Sequence, residues 1–178
     1  MAAIRAAQLG AQVTLIEKDA LGGTCLNRGC IPTKALLQSA NVLSLVKEAE
    51  TFGISVEKIS LDFSVATKRK EAVVKQLVSG VASLMGKNKI RVIKGTGTVI
   101  SPKTVRVSDS KEEIKGDIII VATGSKPSSL PIDGINEPGT INSDEALAID
   151  RLPKSILVIG GGVIGLEFAQ ILSRMGVM

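Results

Sequence analysis

Cys25 and Cys30 are the only two thiols in a chain of 178 residues that has no His, Trp or Tyr. They lie in the run Gly22-Gly-Thr-Cys-Leu-Asn-Arg-Gly-Cys-Ile-Pro-Thr-Lys34. A Cys-x4-Cys pair can be half of a metal site, two unrelated buried thiols, or a disulfide. A zinc site takes about four N or S ligands, more than one chain of this composition supplies unless two chains pair. Free cysteines favour burial, but Gly22, Gly23, Asn27 and Gly29 make a poor packed core. The first residues lack the layout of a secretory signal, and a disulfide inside the cell is more often redox-active than structural.

On a straight helix, residues five apart are turned by about 140°, with Cα atoms about 8–9 Å apart. A disulfide tolerates at most about 7 Å. A bridge between Cys25 and Cys30 therefore requires a distorted turn. Gly29 is the residue able to adopt unusual backbone angles there, and a regular helix is expected from near Pro32, which is tolerated in a first turn.

A second chemical signal is Ile156-Leu-Val-Ile-Gly-Gly-Gly-Val-Ile-Gly-Leu-Glu-Phe168. An apolar strand runs into Gly160-x-Gly162-x-x-Gly165 and then a helix ending near Gly176. Such glycines permit a tight turn and let backbone N–H groups and a helix N-terminus approach a pyrophosphate. The alternative is a glycine turn with no ligand. The ribose-binding acid of this motif falls about 20 residues after the first glycine, near or beyond Met178.

The opening of the chain complements this. Ala2 to Leu9 reads as a helix closed by Gly10, and Val13-Thr-Leu-Ile-Glu17 as a strand ending in an acid. Glu17 is expected to be the ribose-binding acid of a first dinucleotide motif, whose glycines would precede Met1; alone it reads as a solvated strand-end charge. The chain is thus expected to be an internal piece of a longer one.

These residues resemble the flavoprotein disulfide reductases, and among them the branch that oxidises protein-bound dihydrolipoamide. The resemblance rests on Gly22 to Leu37, on Gly116-Asp-Ile-Ile-Ile-Val-Ala-Thr-Gly-Ser125 and on the glycines at 160–165, and spans essentially the whole chain. Arg28 stands where Val is common. Lys34, rather than a lysine at the position of Thr33, favours the lipoamide or mercuric branch over the glutathione type.

The resemblance implies FAD and NAD as cofactors and a redox-active Cys25–Cys30 disulfide. Cys25 would be the interchange thiol and Cys30 the thiolate against the flavin. Lys34 would lie near flavin N5, paired with Glu167. Glu17, Lys18, Gly23, Thr24, Gly97, Ala122, Thr123, Gly124 and Ser125 would bind FAD, and Gly160, Gly162 and Gly165 would bind NAD. The bland alternatives are a solvated cation for Lys34, a first-turn acid for Glu167 and a turn residue for Gly97. The implied partners are the lipoyl domain of a 2-oxo acid dehydrogenase or glycine cleavage complex, and a second copy in a homodimer. The substrate-side base of this family is a histidine from the partner subunit, so the chain alone is not expected to turn over. A mercuric reductase or a non-catalytic remnant are the alternatives, and a cytoplasmic location is expected.

The elements that must position these residues follow from periodicity. The expected class is α/β: a partial FAD-binding domain over 1–130 with a parallel sheet and a small β-meander, a linker over 131–150, and the start of an NAD-binding domain over 151–178. Leu36, Leu37, Ala40, Leu43 and Val46 recur at helical spacing. Phe63 to Leu84 suggests a second long helix, broken or weakened near Gly80. Ile90 to Ser108 reads as a meander turning at Ser101-Pro-Lys, and Gly116 to Ala122 as a buried strand. Lys126 to Asp150 is rich in Pro, Gly, Asn and Ser and reads as linker. The net charge of +5 is scattered among 17 acids with three Phe as the only aromatics, which weighs against nucleic acid. No 18-residue apolar run predicts a membrane span, and no metal site is expected.

Overall fold

The computed structural model describes residues 1–108, 110–128 and 130–178. Asp109 and Ser129, the latter in the predicted linker, lie outside the described residues. Two compact units are formed, one from residues 1–23 and 76–125, the other from 24–75 and 126–178.

In the first unit, helix α1 (Ala2–Gln8) runs to Gly10, whose φ of 92° turns the chain toward strand β1 (Thr14–Glu17). β1 pairs in parallel with β2 (Arg91–Lys94), Thr14 opposite Arg91 and Glu17 opposite Lys94. The ladder continues past both ends, because Arg91 N–H donates to the Val13 carbonyl and Gly95 N–H to that of Glu17. β2 was expected in the meander. It instead joins β1, because a long crossover lets two distant apolar strands lie parallel.

The meander itself is β3 (Gly97–Ser101), β4 (Thr104–Val107) and β5 (Glu113–Lys115), antiparallel in that order. Val107 is fully buried there. Bidentate Arg91–Glu112 and the Arg106–Glu113 pair decorate its exposed side.

The expected buried strand at 116–122 is not formed. Ile118 is 83% exposed and Val121 70%, and among the described residues no ladder joins this run. Apolar composition does not make a strand; its N–H and C=O groups need a neighbour. The 156–159 segment is likewise irregular, with Leu157 exposed. One parallel bridge does form at its start: Ile156 N–H donates to the Met178 carbonyl and Met178 N–H to that of Lys154.

The second unit contains α2 (Gly23–Arg28, beginning at the boundary), α3 (Cys30–Lys47), a 3-10 turn (Ala49–Phe52), the first half of α4 (Phe63–Lys87), α5 (Ser143–Ala148) and α6 (Val163–Arg174). Its core is Leu36 and Ala40 of α3, Ala66 of α4, Leu147 of α5, and Phe168, Ile171 and Met175 of and after α6. α4 passes through Gly80 without a break, so of the two expected outcomes only a weakening remains. One interior glycine costs a helix only about 1 kcal/mol, which 25 residues absorb.

The stretch read as linker contributes α5, fixed by a capping box. The Asn142 side chain accepts from the N–H groups of Asp144 and Glu145, while Glu145 accepts from Asn142 N–H. At its other end the buried Lys70 Nζ donates to the Leu147 carbonyl at 2.5 Å. This places a cation against the negative end of the helix.

Candidate active site

The local sequence explains why the thiols meet. Gly22 and Gly23 have φ of 110° and 73°, angles that glycine adopts freely, and they turn the chain into α2. Thr24 and Cys25 follow in α2. At Gly29 the helix breaks, and α3 starts at once with Cys30, two residues earlier than expected. A Cβ on Gly29 would stand 3.0 Å from the Cys25 Cα and 3.2 Å from the Thr24 carbonyl oxygen. Only glycine lets α2 approach the start of α3 this closely, so the distorted turn predicted at Gly29 is present.

Thr33, buried in the first turn of α3, closes this break. Its hydroxyl donates to the Gly29 carbonyl at 2.7 Å and its N–H to the same oxygen at 3.2 Å. Sequence reasoning gave Thr33 no role of its own. Pro32 has no N–H to strand in that turn.

Both cysteines are exposed and unbonded, the reduced form of the pair. The Cys25 thiol interacts with that of Cys30. A side-chain hydrogen bond with Cys30 is the main cause that pushes the Cys25 pKa above its ordinary value, with desolvation adding to it. The positive charge of Lys34 acts in the opposite sense. Lys34 lies one turn after Cys30, on the same face of α3. Its Nζ stands 3.6 Å from Glu167 Oε1 in the first turns of α6. The structure thus brings Cys25, Cys30, Lys34 and Glu167 together within one unit.

The glycine turn of the same unit is built as its spacing implies. Gly160 has φ of 109°, and Gly162 is the N-cap of α6. A Cβ on Gly165 would collide with the Gly160 carbonyl oxygen. In front of Gly160, Gly161 and Gly162 the space is open, so a pyrophosphate could approach the helix N-terminus.

The other expected site residues lie in the first unit. Glu17 ends β1, and its Oε1 accepts from Asp19 N–H at 2.8 Å; Lys18 is exposed beside it. Lys94, opposite Glu17, donates to the Asp19 carbonyl. Gly97 opens β3, where a Cβ would stand 3.0 Å from Val105 Cγ1 and 3.5 Å from Ile16 Cγ2. Close packing alone therefore demands glycine at 97. Ala122, Thr123, Gly124 and Ser125 are exposed and irregular, with Gly124 at φ of 74°.

Two contacts near the site were not legible in the sequence. Arg28, between the cysteines, stands 3.9 Å from Asp144 at the start of α5. Arg174, the last residue of α6, donates to Asn41 Oδ1 in the middle of α3. Neither partner carries a local signal, since each pair is made by the fold.

A glycine-broken dithiol helix followed by a dinucleotide-type turn defines a class of redox protein. The family model of pyridine nucleotide-disulphide oxidoreductases matches residues 1–178, and the chain belongs to that family. Within it, the chain is 46% identical to a dihydrolipoyl dehydrogenase of Bacillus subtilis (strain 168), over 98% of this chain and 39% of the relative. It is 45% identical to the dihydrolipoyl dehydrogenase of Acholeplasma laidlawii, over 99% of this chain and 53% of the relative. Among solved structures, it is similar to the HOCl-induced flavoprotein disulfide reductase RclA from Escherichia coli. That match has a TM-score of 0.83 and 34% identity, covering 98% of this chain and 37% of RclA. The chain spans roughly two fifths to one half of the length of these relatives. No helix among the described residues is long and apolar enough to cross a membrane.

Proposed function

We propose that the chain is the redox-active segment of a dihydrolipoyl dehydrogenase. The protein would oxidise dihydrolipoamide on a lipoyl domain of a 2-oxo acid dehydrogenase or glycine cleavage complex, and pass the electrons to NAD. The observation that carries this reading is the exposed Cys25 and Cys30 pair, brought together across the Gly29 break beside the Lys34–Glu167 pair. The identity of 45–46% to dihydrolipoyl dehydrogenases supports the choice of substrate.

Chemistry begins from the oxidised pair. A substrate thiolate attacks Cys25 of the Cys25–Cys30 disulfide; a mixed disulfide forms and Cys30 leaves as thiolate. The second substrate thiol attacks the mixed disulfide, releasing cyclic lipoamide and the Cys25 thiol. Two electrons have then moved from substrate to the cysteine pair. Cys30 is the first residue of α3, at the N-terminus of that helix. Lys34 supplies a positive charge, and Glu167 orients it. Bound FAD supplies the two-electron step between this dithiol and NAD.

The residues present fit both cofactors in part. Gly160, Gly162 and Gly165 leave the N-terminus of α6 open to the pyrophosphate of NAD. Glu17, Lys18, Gly23, Thr24, Gly97 and Ala122 to Ser125 are the candidates for FAD. By the same reading, residues 1–130 belong to the FAD domain, 131–150 to its connection and 151–178 to the NAD domain of a cytoplasmic homodimer.

The test is the full-length protein carrying this chain, assayed with dihydrolipoamide and NAD. Turnover lost in both Cys25→Ser and Cys30→Ser, with FAD retained, is the expected result. Turnover that survives either substitution sinks the reading.

A further inference from the structure

We propose that Asn41 and Arg174 are positioning residues, whose contact fixes the register of α3 on α6 and so holds Lys34 against Glu167 beside the dithiol. The inference deepens the site proposed above and rests on that reading.

Two pairs of residues link the same two helices. Lys34 meets Glu167, and Asn41 meets Arg174. Each pair is 133 residues apart: 167 minus 34, and 174 minus 41. The first residues of the helices, Cys30 and Val163, also differ by 133. A constant difference, rather than a constant sum, means that the helices run parallel, level at their N-termini and in one register over seven residues.

The upper pair cannot set that register unaided. The Lys34 side chain is 62% exposed, and exposed ion pairs contribute little. The apolar surface between the helices, including Ala40, Phe168 and Ile171, explains why they pack. Such packing is non-directional, whereas a guanidinium held by one amide oxygen is not. A slip of one turn would carry Lys34 about 5–6 Å along the axis from Glu167 and break the pair.

Arg174 is tied at two points. Its side chain is part-buried on Asn41, and its own carbonyl, at the negative end of α6, accepts from Lys47 Nζ at 3.5 Å. Lys34 is the group whose charge favours the Cys25 thiolate, so the register two turns away reaches the thiols through it.

The experiment is zero-length carbodiimide crosslinking of Lys34 to Glu167 in the flavin-loaded full-length protein, read by peptide mass spectrometry. Iodoacetamide labelling of reduced Cys25 at neutral pH is measured in parallel. Arg174→Leu and Asn41→Leu, checked as folded by circular dichroism, are each expected to lower the crosslink at least about threefold, as one held arrangement becomes several. Both should also slow Cys25 labelling. Asn41→Asp keeps an acceptor and should match the parent, a result readable even if the leucine variants do not fold. A folded leucine variant that crosslinks like the parent overturns the proposal. So does loss of the crosslink in Asn41→Asp, or a lost crosslink with unchanged labelling. Crosslinking does not depend on turnover, so failure of the parent to oxidise dihydrolipoamide would count against the proposed function alone.

Discussion

Lys34 Nζ stands 3.6 Å from Glu167 Oε1, joining the first turns of two helices that are far apart in sequence. One of these helices starts with a cysteine, and the other starts at the glycine turn. The thiols and the dinucleotide-type turn therefore sit at the N-termini of two helices packed in one unit.

The Cys25 thiol carries a pH dependence that can be measured. In the dithiol its pKa is raised, chiefly by the hydrogen bond with Cys30, so at neutral pH less of it is thiolate than in an ordinary cysteine. Only thiolate alkylates at a useful rate. Its labelling rate should therefore rise with pH to an inflection above that of a free thiol. Cys30→Ala removes the hydrogen bond, so the inflection should move to lower pH and labelling at neutral pH should quicken. A profile that stays in place or moves upward would contradict the hydrogen bond between the two thiols.

Gly29→Ala tests the break between the helices. The added methyl meets the Cys25 Cα and the Thr24 carbonyl oxygen at 3.0 and 3.2 Å. Overpacking of this kind costs about 1–3 kcal/mol. Urea unfolding should show the loss, and oxidation of the dithiol to the disulfide should slow as α2 is pushed from Cys30. Parent-like values for both would mean that the backbone gives way without moving the thiols.

Ile171 and Leu166 lie on one helix with opposite fates. Ile171 is 1% exposed and Leu166 62% exposed. Truncating a buried Ile to Ala costs about 2–5 kcal/mol, whereas exposed positions stay within about 0.5 kcal/mol. Thermal or urea unfolding of Ile171→Ala and Leu166→Ala should therefore separate cleanly. Equal losses would show that the second unit packs differently in solution.

Much of the site was legible because its chemistry is local. Two cysteines flanking a glycine, a proline in the next turn and a strand–glycine–helix pattern each carry their meaning within a few residues. Gly29 and Gly165 do what their spacing implies: each lets two backbone segments approach. The elements that escaped depend on partners. Ile118 to Val121 has the composition of a strand but no ladder among the described residues. β2 has the alternation of a hairpin strand yet pairs with β1, far back in the chain. α5 hid in a stretch rich in turn residues, where Asn142 proved to be a cap rather than a linker residue. Arg174 offered no sign of Asn41, because only tertiary packing pairs them.

The constant offset between α3 and α6 also bears on how the gene can change length. Insertions or deletions in the loops between α3 and α6 alter the offset but leave both helices intact, so the two pairs can re-form with a new common difference. A single codon gained between Lys34 and Asn41, or between Glu167 and Arg174, is another matter. It rotates one helix by about 100° between its two anchors, and no compensating change elsewhere in the chain restores both. Length variation should therefore be tolerated in the loops of the intervening stretch and purged from two windows of a few codons each.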